Sequence, residues 1–361
     1  MKILFISRAT LYKDKGGDTI QILNTAASLK QLGVDVTIRL CNEKIDYSGY
    51  TLIHFFNIIR PADILFHIYK SGKPYVISTI YVDYSEYEKK MRMGLTGSIF
   101  RLFSPDFIEY MKVIARFIVN GEKIITPSYI LTGQKKAIQK IIHQAKMLLP
   151  NSHSEYHRLI KHYKVHQNYK KIPNAIDPSL FIFPEDSSQR NHNLVICVGR
   201  IEGRKNQLNL IRALNNTSYN LTILGSPSPN QVTYFEQCKE EAASNISFVN
   251  NIPQDLLINY YRMAKVHVLP SWFETTGLST LEAAAMGCNI VITRKGDTEE
   301  YFEDYAFYCE PDSPVSIFEA IQKASSEKYN EALRTKIFTQ YTWNEAAKKT
   351  FQAYKEITDK D

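Results

Sequence analysis

The chain has 361 residues, more than one hydrophobic core ordinarily organises, so two domains are expected. Hydrophobic residues make up 44% and charged residues 22%, the composition of a folded protein, not a disordered one. The net charge of +7 is spread without a basic tract, which speaks against nucleic acid and leaves an anionic nucleotide, an anionic lipid surface or plain solvated charge.

In chain order, Met1 to Arg8 has too few apolar residues for a signal peptide, and Ile3 to Ile6 reads as a buried strand. A polar loop, Lys13-Asp14-Lys15-Gly16-Gly17, leads to an apolar-periodic helix from about Ile20 to Leu32 that Gly33 stops. Strands follow at Val34 to Leu40, Thr51 to Phe56 and Tyr75 to Ile80, so this half begins as strand, helix, strand with right-handed crossovers. From Glu86 to about Lys140 the pattern is mainly helical and carries Met91-Arg92-Met93, Phe100-Arg101-Leu102-Phe103 and Lys112 to Phe117. Such a basic, aromatic stretch could lie on a membrane, but mixed charges interrupt any clean amphipathic face and favour packing over the sheet. Lys146 to Asn151 and Lys170 to Pro173 read as short strands, and 185–193 as a linker after Pro173, Pro178 and Pro184.

A second alternation then runs to the end. Strands are expected at Leu194 to Val198, Leu221 to Leu224, Ile246 to Val249, Val266 to Leu269 and Asn289 to Thr293. Helices fall near Asn206 to Leu214, Gln231 to Ala243, Gln254 to Arg262, Leu278 to Met286 and Ser316 to Ala324. Trp343, Ala346, Ala347, Phe351 and Tyr354 define a last amphipathic helix, whose aromatics read as packing. The doubly wound α/β pattern thus occurs twice, and ligands in such sheets bind beyond the carboxyl ends of the strands.

Two strand ends carry candidate chemistry. After Val198 comes Gly199-Arg200-Ile201-Glu202-Gly203-Arg204-Lys205, where Arg200 and Lys205 could meet a diphosphate while Arg204 reads as a solvated cation. After Leu269 comes Pro270-Ser271-Trp272-Phe273-Glu274-Thr275-Thr276-Gly277, with Leu278 opening a helix that carries Glu282. The two carboxylates, eight residues apart, can reach different hydroxyls of one extended ligand, and Thr275, Thr276 and Gly277 leave amides open at a helix start. By itself such a pair is equally compatible with exposed helix glutamates. The five cysteines, Cys41, Cys197, Cys238, Cys288 and Cys309, form no C-x-x-C pair, so neither a zinc site nor a disulfide framework is expected. No stretch approaches a membrane-spanning length, and the expectation is a cytoplasmic protein, soluble or peripherally attached at the inner face of the cell membrane.

Taken in order, these residues resemble the GT-B retaining glycosyltransferases of family 4. Pro270-Ser271-x-x-Glu274 through Glu282 to Gly287 is similar to the family's E-x7-E signature. Val198-Gly199-Arg200 with Lys205 and Asn206 resembles its phosphate loop, Ile172-Pro173-Asn174-Ala175-Ile176-Asp177 through Phe181 its interdomain segment, and Leu149-Pro150-Asn151-Ser152 a strand end. Gly16-Gly17 resembles its N-terminal glycine loop, and Gly296 to Tyr301, with Glu300, a further acidic loop.

The resemblance implies two Rossmann-like, doubly wound parallel-sheet domains facing a cleft: 1–184 on the acceptor side, braced by helix 343–358, and 194–342 binding the nucleotide sugar. It implies transfer from a UDP- or GDP-sugar to a glycan or lipid-linked acceptor, in surface polysaccharide assembly, with no metal required. Glu274 would contact the transferred sugar, Glu282 the ribose, Arg200 and Lys205 the leaving diphosphate, and the Gly17 amide the donor's phosphate side; Gly199, Thr275, Thr276, Gly277 and Leu278 complete the donor set.

The family's His-Asp pair is incomplete here. In Ile77-Ser78-Thr79-Ile80-Tyr81-Val82-Asp83-Tyr84 only Asp83 remains, so Asp83 joins the catalytic candidates, and Gly16, His54, Asn57 and Tyr81 are acceptor-side candidates or structural residues. Rival readings are a GT-B-shaped epimerase or phosphorylase, and a sugar-nucleotide-binding protein without turnover. A dinucleotide dehydrogenase is disfavoured because the first strand-to-helix turn lacks G-x-G-x-x-G.

Overall fold

Residues 2–7 are apolar almost without interruption and buried after Lys2, which is how a strand covered on both faces reads, and they form an interior strand of a parallel sheet. The computed structural model describes residues 1–91, 106–107, 110–111, 113, 127–182, 190–228, 230–250 and 252–359. They fall into two compact units: Met1–Tyr81, Glu88–Asn174 and Trp343–Asp361 in the first, Val82–Tyr87 and Ala175–Thr342 in the second.

The first unit holds β1 (Lys2–Ser7), α1 (Gly17–Gln31), β2 (Asp35–Leu40), β3 (Leu52–Phe56), α2 (Pro61–Ser71) and β4 (Tyr75–Ser78). After α3 (Ser85–Met91), which begins in the second unit, come α4 (Pro127–Gln144), β5 (Met147–Leu148) and α5 (His153–Tyr163). Among the described residues the sheet order is β2-β1-β3-β4-β5, all parallel, so it reverses between β1 and β3. Its core gathers Leu4, Ile53, Phe55, Ile77, Ile138 and Leu159. Pro61 opens α2, where its fixed φ and missing N–H suit a first helical turn.

The second unit holds β6 (Asn191–Val198), α6 (Gln207–Leu214), β7 (Asn220–Leu224), α7 (Val232–Glu241), β8 (Ile246–Val249), α8 (Gln254–Met263) and β9 (Ala264–Leu269). It continues through α9 (Leu278–Ala285), β10 (Asn289–Thr293), α10 (Thr298–Phe302), β11 (Phe307–Cys309), α11 (Pro314–Ser326) and α12 (Glu331–Gln340). Its sheet order, β11-β10-β9-β6-β7-β8, is again parallel throughout and reverses between β6 and β9. Both halves are therefore doubly wound α/β, the two-sheet GT-B class expected. The final helix, α13 (Trp343–Thr358), returns to the first unit and packs on α1. There Tyr354 places its hydroxyl 2.6 Å from Nδ1 of His54.

Several details differ from the sequence reading. The units divide at Asn174 and Ala175, ahead of the boundary expected at residue 184, because Ile176 already bridges to Thr342 and Phe181 is buried in the second core. Of the expected linker, 185–189 lie outside the described residues, while Asn191 to Asn193 open β6. Lys170 to Pro173 is not a strand; the pairing there is a single bridge from Leu148 to Tyr169. The strand read through Ile80 ends at Ser78, and Ile80 turns with φ of 45°. Helices α2, α5 and α12 and strand β11 were not foreseen. The basic, aromatic stretch from Arg92 to Phe117 lies, apart from a few residues, outside the described residues. All five cysteines are free and buried, and no helix among the described residues is long and apolar enough to cross a membrane.

Candidate functional site

In an open parallel α/β sheet ligands bind beyond the carboxyl ends of the strands where the strand order reverses, which in the second unit is between β6 and β9. In the second unit that point holds Lys205 and Glu274. The Lys205 ammonium donates to Oε1 of Glu274, and the Ser271 hydroxyl donates to the same oxygen at 2.6 Å. Glu274 is 6% exposed. Its carboxylate thus has a cation and a hydroxyl as partners, which a buried carboxylate needs.

Backbone contacts knit the loops together. Trp272 N donates to the Arg204 carbonyl at 2.9 Å, and the Asn206 side-chain amide donates to the carbonyls of Pro270 at 3.1 Å and Pro311 at 2.6 Å. The loop after β10 joins them, since Glu274 N donates to the Lys295 carbonyl at 3.0 Å and Asp297 N to the Glu274 carbonyl at 2.9 Å. Gly296, with φ of 100°, makes that approach possible: a Cβ there would stand 2.0 Å from the Glu274 carbonyl oxygen. Lys205, Glu274 and Gly296 thus hang from three neighbouring strands, β6, β9 and β10.

The other donor-side candidates take distinct places. Gly199 follows β6 with a positive φ of 155°, and Arg200 is exposed, its carbonyl accepting from the Gln207 amide at 2.8 Å. Gly277 caps α9 at its N-terminus with φ of 68°, and Leu278 is its first residue. Thr276 is buried and Thr275 half-buried beside it. The Ser279 hydroxyl donates to the Val198 carbonyl at 2.9 Å, holding the start of α9 against the end of β6. A turn into α9, Glu282 is half-buried, and the Tyr261 hydroxyl donates to its Oε2 at 3.0 Å. Burial pushes the Glu282 carboxyl up to about 7, with the Tyr261 hydrogen bond pulling it down.

Arg204 is not the solvated cation expected. Its Nε donates to Glu202 at 2.6 Å and its Nη1 to the Tyr84 hydroxyl at 2.5 Å, with the guanidinium 4.8 Å over the Tyr84 ring. Tyr84 also meets Phe273 edge-on at 6.1 Å, and the Lys295 ammonium donates to Glu86 at 3.0 Å. The segment Val82–Tyr87 is therefore fastened to the loops after β6, β9 and β10 of its unit.

Of the acceptor-side candidates, His54 and Asn57 both meet Ser78, the Asn57 backbone amide donating to its carbonyl at 2.9 Å. His54 is 1% exposed, with Nδ1 on Tyr354 and Nε2 2.9 Å from the Ser78 hydroxyl, and burial lowers its pKa to about 3. It is a neutral core residue. Tyr81 is also in the core, its ring 5.9 Å from that of Tyr163, and its amide donates to Glu155 at 2.8 Å. Asp83 belongs to the second unit and accepts from Ser85 N at 3.0 Å at the start of α3. Asn57 is half-buried with φ of 69° after β3. Gly16 caps α1 and Gly17 is its first residue, with Asp18 in the first turn paired to Arg8 at 2.6 Å. Glu300 is half-buried in the short α10.

Three contributors escaped the sequence reading: Tyr261, Tyr84 and Glu155. Glu155 is fully buried, and its carboxylate accepts from the Thr79 hydroxyl, from Tyr81 N and, at 2.8 Å, from Asn151 N. Its own amide donates to the Ser152 hydroxyl at 2.8 Å, so Ser152-x-x-Glu155 was legible as a helix start. Tyr261 and Tyr84 left no local signal. Among the described residues no group of three His, Cys, Asp or Glu side chains is placed to hold a metal ion.

Residues 180–341 match the family described as Glycosyl transferases group 1. D-inositol 3-phosphate glycosyltransferase of Acidothermus cellulolyticus is 27% identical over 179 residues, 43% of this chain and 40% of that protein. The Corynebacterium glutamicum protein of the same name is 24% identical over 334 residues, 78% of this chain and 76% of that one. The chain thus matches less than half the length of the Acidothermus relative. Among solved structures, sucrose-phosphate synthase from Thermosynechococcus elongatus superposes with a TM-score of 0.74 at 16% identity, covering 100% of both chains. Anabaena HepE, in complex with UDP and glucose, gives 0.69 at 13% identity, covering 99% of this chain and 100% of that one. At these identities the likeness establishes the fold.

Proposed function

We propose that this chain, whose residues 180–341 match the Glycosyl transferases group 1 family, is a retaining glycosyltransferase of family 4 that moves a sugar from a UDP- or GDP-sugar. The observation that carries the reading is the pairing of Lys205 with buried Glu274 at the reversal point of the second sheet. With no ligand, cation and carboxylate neutralise each other. A nucleotide sugar would take both: its diphosphate attracts Lys205 and the exposed Arg200, and its sugar hydroxyls donate to Glu274. The N-terminus of α9 adds a partial positive charge, and Glu282 accepts from the ribose.

In the reaction, the acceptor oxygen forms a bond to the anomeric carbon as the bond to the departing phosphate breaks. The acceptor's proton passes to that phosphate on the same face, so configuration is retained and no protein nucleophile or metal is needed. The acceptor is a glycan or lipid-linked glycan of surface polysaccharide assembly, met from the cytoplasmic side by peripheral contact with the membrane. Anabaena HepE, solved with UDP and glucose, supports a nucleotide-sugar donor without naming the one used here.

The test is thermal stabilisation by UDP-, GDP- and ADP-sugars, since a ligand that binds only the folded state raises the melting temperature by mass action. One of them is expected to raise it, and the effect should be absent in Lys205→Ala. Silence from all three overturns the reading.

A further inference from the structure

Glu282 has two carboxylate oxygens and one partner. Oε2 accepts from the Tyr261 hydroxyl at 3.0 Å, and Oε1 accepts no hydrogen bond from the described residues. Tyr261 is fully buried on α8, and its backbone is held as firmly as its ring: its carbonyl accepts from Arg190 Nη1 at 3.1 Å and from the Cys288 thiol at 3.1 Å. Behind it on β9 lies His267, fully buried, its ring centroid 6.2 Å from that of Tyr261 and neither ring nitrogen hydrogen-bonded. Burial, helped by the charge of Lys205, lowers the His267 pKa to about 3, so this neighbour stays neutral.

We propose that Tyr261 is a positioning residue of the nucleoside pocket: its hydroxyl pins one oxygen of Glu282 so that the other faces the ribose diol. This rests on the donor reading above and adds to it a residue outside the two strand-end loops. A ribose presents two hydroxyl donors, which a carboxylate accepts and a carboxylic acid accepts less well. The hydroxyl of Tyr261 therefore has two effects: it fixes the rotamer of Glu282, and it stabilises the ionised form that burial disfavours. The titratable or charged groups around this pair are Tyr261 on α8, His267 on β9, Cys197 on β6, Cys288 ahead of β10 and Arg190 ahead of β6. Burial raises the Cys197 and Cys288 thiols to about 12 and about 11, so neither becomes an anion near neutrality. Glu282 is then the group of this set that changes charge near pH 7.

Calorimetric titration of the full chain with UDP, GDP and ADP from pH 5.5 to 9 tests the assignment, using the unaltered protein, Tyr261→Phe and Glu282→Gln. The preferred diphosphate should bind more tightly as pH rises through about 7, the value to which burial brings Glu282. In Tyr261→Phe the midpoint should move up by roughly one pH unit, giving about fivefold weaker binding at pH 7 and recovery at pH 9, since affinity follows the ionised fraction. Glu282→Gln should keep only the pH dependence that the ligand's own terminal phosphate, ionising at about pH 6, contributes, and so should the unaltered protein with the 2′,3′-dideoxy diphosphate. A Tyr261→Phe protein that binds with unchanged midpoint, or is weaker by one constant factor at every pH, overturns the role of Tyr261 while the donor reading stands. No binding of any of the three by the unaltered protein removes the donor reading and this inference with it.

Discussion

Lys205 and Ser271 converge on a single oxygen, Oε1 of Glu274, from two different loops. On the proposed donor reading a diphosphate would draw Lys205 off this pair, because phosphate offers it more negative charge than one carboxylate does. Lys205→Ala should lower kcat/KM for transfer by about 100-fold or more, the scale on which a single donor to a developing anion acts. It should also lower stability by about 1 to 3 kcal/mol, because a buried carboxylate loses its cation. Steady-state kinetics and denaturant unfolding read the two effects separately. Glu274→Gln should remove as much activity with a smaller change in stability, since an amide needs no counter-charge.

Gly296 offers a test that leaves every charged group in place. A methyl group there would collide with the Glu274 carbonyl oxygen, and the φ of 100° disfavours any side chain. Gly296→Ala should therefore cost about 2 kcal/mol or more in unfolding free energy and weaken donor binding by displacing the Glu274 loop. Normal stability with normal binding would contradict the strand-end architecture described above.

How much of this was legible in the sequence follows from what each signal is made of. Strands such as Ile3 to Ile6 and Val266 to Leu269 are buried on both faces, so their uninterrupted apolar runs announced them. Lys205 and Glu274 stand in loops directly after such runs, and that position carried them. Tyr261 was silent because its partner, Glu282, lies on another helix, and one tyrosine among 23 has no distinguishing neighbour. His54 could be read from the sequence either as an acceptor-side residue or as a structural one. It occupies a strand whose end should face ligand, but its partners, Tyr354 and Ser78, arrive from the far end of the chain and from the next strand.

Glu155 should prove structural and not chemical. Its carboxylate accepts from Thr79, Tyr81 and Asn151, and so fixes the turn in which Ile80 adopts a φ of 45°, a conformation that β-branched residues rarely enter. Glu155→Ala should cost about 3 kcal/mol or more, leaving three buried donors unpaired. Nucleotide affinity, measured at a temperature where the protein is still folded, should stay within about twofold of the original because the second unit is untouched.

His54 and Tyr354 give a parallel test of the first unit. Tyr354→Phe removes the partner of His54 Nδ1 in a fully buried setting and should cost about 1 to 3 kcal/mol. Activity should follow the folded fraction only. A loss of kcat in the folded Tyr354→Phe protein would return His54 to the list of reactive groups.

The raised pKa of Glu282 also predicts a stability effect whose sign is fixed. Burial lifts this carboxyl from 4.5 to about 7, so between those values the folded state holds a proton that the unfolded state has released. Folding is then favoured by this group at low pH, and the benefit fades as pH rises from about 4.5 and is gone above about 7. Glu282→Gln cannot titrate. Relative to the unaltered protein, its melting temperature should therefore rise across that window and level off above it. Nucleoside binding takes the opposite course, strengthening over the same range as Glu282 ionises, so added UDP or GDP should offset part of the loss in the unaltered protein, whereas Glu282→Gln has no such loss to offset. Parallel melting curves of the two proteins, with and without nucleotide from pH 4.5 to 8.5, would expose a flat difference, and a flat difference would mean that Glu282 is charged throughout and that Tyr261 has nothing to adjust.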